Sequence, residues 1–277
     1  YAPGLAALTS GDADLHLWVK PTDLPRLEAD SSVTLIPNAL NGSYYIAFNM
    51  EREPWDNASL REAVLYGVDR NIIAQVAFGG FAEPAYAPVA TTDFYFDDSL
   101  VITQDVEKAK ALAAEVGWIG EATLLAPNTP VEAPMAEIVQ NQLQALGLNV
   151  KLEILDVPAY IDRVFVNKDF DLTVVGDSSF GDPDYLLRQY FIPEGESNIT
   201  GYNNPEIAAL IEEAATLSDP AERKAIYDQV YPVIQKEAPL VYLVQEVRHG
   251  AMKQPLTGVI FKPNNTYVFD QATFGLE

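Results

Sequence analysis

Carboxylates are the groups best placed to do chemistry in this sequence, and their abundance keeps any one of them from standing out. There are 40 Asp and Glu against 17 Lys and Arg, a formal charge of −23. Two carboxyl groups flanking a scissile bond can serve as acid and base. Hydrolysis of a peptide or glycoside is therefore one reading, although no spacing singles out a pair. Other catalytic groups are scarce. The 2 histidines, His16 and His249, lie near opposite ends of the chain, and no His-x-x-x-His pairing offers a metal two ligands. Cysteine is absent, which removes thiol nucleophiles, thiolate metal ligands and disulfides together. No G-x-S-x-G elbow, Walker loop or G-x-G-x-x-G occurs. No metal or cofactor is implied. The acidic balance repels phosphate backbones and so argues against nucleic acid as a partner.

The elements that must position any working group alternate between strand and helix. A helix is predicted over 3–10, stopped by Gly11, and Leu15, Leu17 and Val19 alternate as in a strand. A short helix through Leu24 and Leu27 precedes strands at Val33–Ile36 and 43–49. Helices follow over 58–68 and 70–78, the second capped by Asp69. Residues 79–104 carry Pro, Gly and aromatics without periodicity and read as a long surface loop. Gly117 ends a helix over 106–116, and a strand is expected over 121–126. Met135, Ile138, Val139, Leu143 and Leu146 mark a helix over 130–146 with Pro130 in its first turn. A strand (148–155), a helix (158–168) and a strand (171–175) come next. Asp182-Pro183, Asn204-Pro205 and Asp219-Pro220 each set a capping side chain before a first-turn proline. A strand over 239–247 leads into an irregular tail with a few short strands. The pattern is that of an α/β protein. No apolar run approaches the roughly 20 residues that span a bilayer. The chain opens without a leader, so any secretion signal is expected to be missing or removed.

The stretch YYIAFNMEREPWDNASLREAVLYGVDRNIIAQVAFGG (44–80) resembles the signature region of the family 5 extracellular solute-binding proteins, the peptide- and nickel-binding receptors of ABC importers. The matching features are Phe48-Asn49, the Pro54-x-Asp56 turn, Arg61-x-Ala63 and Asp69-Arg70. Further blocks match in order: DVEKAKALAAEVG (105–117), Asp182-Pro183, GYNNPE (201–206), DPAERKAIY (219–227) and Ala238-Pro239-Leu240. The resemblance implies a periplasmic-binding-protein-like fold of type II, with two lobes closing on ligand and much of the N-terminal lobe lacking here. It assigns 1–37 to a remnant of that lobe, 38–246 to the C-terminal ligand-binding lobe and 247–277 to a return segment. Hinge crossings are expected near 38–44 and 238–244. The implied role is extracytoplasmic capture of a peptide or other small polar solute for an ABC permease. Membrane contact would come only through the transporter or through a lipid anchor outside this chain. A sensory or scaffold role is the further alternative.

In the same family the loop after the 171–175 strand faces the cleft, so the resemblance points to Asp177, Ser178, Ser179, Phe180 and Asp182 as ligand contacts. Tyr45 joins them, because Tyr44 and Tyr45 point to opposite faces of a strand and at most one faces the cleft. Asp182 is also placed to cap a helix. Dipeptide receptors carry a Trp and an ammonium-binding Asp at positions that correspond here to Gly176 and Ser179. They also carry a carboxylate-binding Arg ahead of the helix matching 134–146, whereas APNTPVEAP (126–134) has none. With both anchors of a zwitterionic dipeptide unmatched, a longer, neutral or polar ligand is expected, such as a larger peptide or an oligosaccharide. Arg61 and Asp69-Arg70 read as framework.

Overall fold

The computed structural model describes residues 2–39, 43–177, 182–262 and 266–275. Its centre is a mixed sheet of 8 strands. These are β1 (Leu15–His16), β2 (Val33–Ala39), β3 (Tyr44–Phe48), β4 (Ala82–Pro84), β5 (Ala122–Pro127), β6 (Val150–Leu155), β7 (Leu172–Gly176) and β8 (Leu240–Lys253). The spatial order is β1-β8-β3-β7-β5-β6, with β2 and β4 also paired to β8. β5 runs parallel to β6 and β7, and the remaining pairs are antiparallel.

β8 is longer than its sequence suggests. The predicted strand stops at 247, but the chain stays extended to Lys253 because β2 pairs with it from Val247 onward. The near half pairs with β3 through Val244. Tyr44 opposes Val244 while Tyr45 opposes Tyr242, so the ladder carries a bulge at Leu243, just ahead of the change of partner.

The principal helices are α1 (Ala2–Ser10), α2 (Leu24–Glu28), α3 (Ala58–Gly67), α4 (Arg70–Phe78), α5 (Val106–Val116), α6 (Glu132–Ala145), α7 (Val157–Ile161), α8 (Pro183–Tyr190), α9 (Pro205–Thr216) and α10 (Pro220–Glu237). Their starts are chemically marked. Asn57, Asp69, Asp105, Asp156, Asp182, Asn204 and Asp219 each accept a hydrogen bond from a first-turn backbone N–H. Each such cap is worth about 1 kcal/mol against Ala. α6 starts two residues later than Pro130 suggests. The Thr129 hydroxyl accepts from the N–H groups of Val131 and Glu132 and so sets the first turn.

Helices cover both faces of the sheet, so all 5 residues of β3 are buried. One core joins Tyr44, Ile46 and Phe48 to α3, α4 and α6, and another joins Tyr45 and Ala47 to α8, α9 and α10. Residues 79–104 are not a surface loop throughout. β4 pairs with β8, and Ala85, Ala87, Val89, Phe96 and Leu100 are buried in the second core. Separate small cores form among the terminal segments. Leu5, Leu8, Val19, Leu24 and Leu27 pack on Ala251, and Ile36 packs with Met252, Leu256 and Phe261.

Two buried arginines tie helices to their neighbours, Arg61 joining α3 to the end of α10 and Arg70 joining α4 to β8, as the framework reading of both expects. Arg61 donates to the carbonyls of Trp55 and Glu237. Arg70, only 4% exposed, donates from Nε to the carbonyls of Ala85 and Tyr242, and from Nη1 to that of Leu65. Burial draws its guanidinium down to about 10, so it stays charged at neutral pH. Arg70→Met removes the shared donor from three carbonyls and is expected to cost about 3–5 kcal/mol in urea unfolding. A cost below about 1 kcal/mol would mean that those carbonyls find other partners.

Candidate ligand-binding site

A cavity of about 160 Å³ opens where β8 passes from β3 to β2. Its lining includes Trp18 and Lys20 from the segment after β1, Tyr44 from the start of β3, Glu132 from the start of α6, and Glu246 and Arg248 from β8. The walls thus come from the central sheet and from the terminal segments together. Whole-solute pockets run to about 300–1,000 Å³, so this cavity suits one functional group of a larger molecule.

Its polar side chains are linked. The Tyr44 hydroxyl donates to Glu246 Oε2 at 3.1 Å, and Arg248 Nε donates to the same oxygen at 3.2 Å. Burial pushes the Glu246 carboxyl above the usual carboxylate range, against the opposing pull of Arg248 and Tyr44. Burial lowers Arg248, but the Glu246 charge, the Tyr44 hydroxyl and the hydrogen bonds to both together outweigh it and leave the guanidinium above its ordinary value. The Arg248 guanidinium carbon lies 5.1 Å from the centroid of the Trp18 ring. Across the cavity, the Thr129 hydroxyl is hydrogen-bonded to Glu132 Oε2.

Tyr44 takes this position because Gly176 has no side chain: a Cβ there would stand 2.5 Å from the Tyr44 ring. The bare backbone that breaks the family's Trp pattern is thus what lets the Tyr44 ring lie against β7.

The residues expected as ligand contacts divide. Ser178, Ser179 and Phe180 lie outside the described residues. Asp177 ends β7, where its N–H donates to the Ser43 carbonyl at 3.2 Å and its Oδ2 accepts from the Tyr190 hydroxyl at 2.6 Å. Tyr45 is 2% exposed and meets Tyr190 and Tyr242 edge-on, at 5.7 Å in each case. The structure therefore groups Asp177 and Tyr45 around Tyr190, and it is Tyr44, not Tyr45, that borders the cavity. Asp182 caps α8 through Oδ1 and accepts two hydrogen bonds from Arg223, at 2.6 and 3.0 Å. Both of its oxygens are engaged within the chain. Sequence reasoning missed Trp18, Glu132, Glu246 and Arg248, which no local spacing connects.

Residues 3–198 match the family of bacterial extracellular solute-binding proteins, family 5, middle region. The chain belongs to this family. Among family relatives, heme-binding protein A of Haemophilus influenzae is 29% identical over 275 residues, covering 93% of this chain and 49% of that protein. Glutathione-binding protein GsiB of Salmonella typhimurium is 26% identical over 279 residues, covering 96% and 54%. The chain thus spans about half the length of these relatives. The solved structure of the substrate-binding protein CtaP of Listeria monocytogenes superposes with a TM-score of 0.88 at 25% identity, covering 99% of this chain and 58% of that one. AgaA of A. tumefaciens R10, solved with agropinic acid, gives 0.83 at 26% identity, covering 100% and 59%. The α/β architecture is that of a periplasmic binding protein. Among the described residues no helix is long and apolar enough to cross a membrane, and no group of three or more His, Asp or Glu side chains could hold a metal ion.

The Asp182–Arg223 pair gives a pH-dependent test of the α8 start. Partial burial raises the Asp182 carboxyl, but the Arg223 hydrogen bonds, the backbone cap and the Arg223 charge outweigh it and hold the group below the usual range. A depressed folded value adds stability above the ordinary Asp value and loses it as pH falls through the folded one. Asp182→Asn is expected to cost about 1 kcal/mol at pH 7, a modest figure because the side chain is 53% exposed. The cost should shrink below about pH 4. Urea unfolding at pH 7 and pH 3 measures it, and a cost that does not change with pH would rule out the charge pair as its source.

Proposed function

We propose that this chain forms the C-terminal, ligand-gripping part of an extracytoplasmic solute-binding protein that captures a peptide or other small polar solute and delivers it to an ABC permease. The cavity at the β3–β8–β2 junction carries this reading, because groups from the central sheet and from the terminal segments converge there on one small volume. Residues 38–246 would act as one lobe, and 1–37 with 247–277 as part of the other. The first crossing lies near 38–44, of which 40–42 are outside the described residues. The second is proposed near 238–244; the change of partner in β8, which pairs with β3 up to Val244 and with β2 from Val247, supports a crossing close to there. Closure would then be a hinge motion that brings two walls onto the solute, favoured by contacts made only in the closed state.

The relatives' names speak of heme, glutathione and agropinic acid, so the family does not fix one solute. A carboxylate hydrolase fits the site poorly. The Glu246 carboxylate is buried and bonded to Tyr44 and Arg248, and the Glu132 carboxylate is bonded to Thr129.

Calorimetry with short peptides, glutathione and oligosaccharides tests the reading, using the 277-residue chain and the longest natural polypeptide that contains it. The expected result is saturable binding by the longer form without turnover, and at least tenfold weaker binding by this chain. Equal affinity of both forms would rule out a shared cleft, and cleavage of any probe would rule out simple capture.

A further inference from the structure

We propose that Arg248 anchors a carboxylate of the solute, so that this receptor selects carboxylate-bearing ligands; the proposal rests on the capture reading above. Arg248 lines the cavity with its side chain 29% exposed, and its partner Glu246 is 10% exposed. Nε is committed to Glu246 at 3.2 Å, and the plane of the group is steadied over Trp18 at 5.1 Å. Of the four N–H donors on the terminal amino groups of Arg248, the Tyr44 hydroxyl takes at most one, so the others remain for a ligand. A guanidinium held by Nε and by one face keeps its outer donors in a fixed orientation, which suits a carboxylate better than a rotating ammonium does.

The lining sets two cations, Arg248 and Lys20, against two carboxylates, Glu246 and Glu132. Glu246 is engaged by Tyr44 and by Arg248 Nε, and Glu132 by the Thr129 hydroxyl, so both carboxylates are occupied within the chain. Trp18 is 45% exposed and offers a flat apolar surface to the carbons beside the carboxylate. The volume of about 160 Å³ admits such a terminal group and leaves the bulk of the solute outside the cavity.

Matched probes decide the matter: short peptides with a free C-terminal carboxylate and the same peptides as C-terminal amides, screened by thermal shift and quantified by calorimetry on the longest natural polypeptide that contains this chain. The acid forms should bind about 10- to 100-fold more tightly than the amides, the range of a charge-assisted bidentate pair. Arg248→Gln should abolish the preference, so that acid and amide forms bind alike. Arg248→Lys, which keeps the charge and loses the fork, should give an intermediate loss confined to the acids. Equal binding of acid and amide by the unaltered protein overturns the proposal without any variant. So does a loss shared equally by both forms in the Lys variant, which would mark Arg248 as structural. If neutral probes bind and no acid is preferred, capture stands and the carboxylate anchor falls. If no probe of either form binds, capture itself falls, and the anchor with it.

Discussion

The molecule is organised around one strand that changes partners. Every backbone N–H and C=O of a buried strand must be paired. β8 meets this over 14 residues by hydrogen bonding first to β3 and β4, and then to β2 and β1. The central cores and the terminal cores are thereby fastened to opposite ends of the same covalent segment. Side chains two apart on a strand share a face. Glu246 and Arg248 therefore project together at the seam, and the 3.2 Å bond between them follows from the strand's own period.

A chain of dependencies runs outward from that pair. Gly176 leaves room for the Tyr44 ring, Tyr44 donates to Glu246, Glu246 orients Arg248, and Arg248 lies over Trp18. All the links except Glu246–Arg248 cross from one segment to another, so the cavity depends on β3, β7, β8 and the segment after β1 together. The seam is polar where an apolar filling would be simpler. A buried ion pair contributes less to stability than packed hydrocarbon of the same volume, because its desolvation offsets much of the attraction. If the chain hinges close to the change of partner, a seam of that kind resists the motion less than a hydrocarbon core would.

What the sequence disclosed was local. Asp69, Asp182, Asn204 and Asp219 cap the helices they precede, because a capping side chain and its N–H partner lie within a few residues of each other. Gly117 ends α5 in the left-handed conformation for the same reason. What it hid was settled by tertiary contact. The far half of β8 contains Arg248, His249 and Gly250, which break any alternating pattern, and it is a strand because β2 lies beside it. Ala85, Ala87 and Val89 are too small and too irregularly placed to announce a core, yet they are buried under α8 and α10. At the site, period 2 established that only one of Tyr44 and Tyr45 could face a cleft. Choosing between them required Gly176 on the neighbouring strand and Glu246, 202 residues away.

Asp182 and Arg248 also differ in what remains available to a ligand. Asp182 has both oxygens occupied, by its own helix and by Arg223, so a ligand ammonium would have to break a bidentate pair to reach it. Arg248 is held through Nε and over the Trp18 ring, which fixes its direction and leaves most of its outer donors unused. A charge fully matched within the chain serves the fold; if Arg248 is the anchor proposed above, recognition falls instead to a group that is oriented yet incompletely bonded.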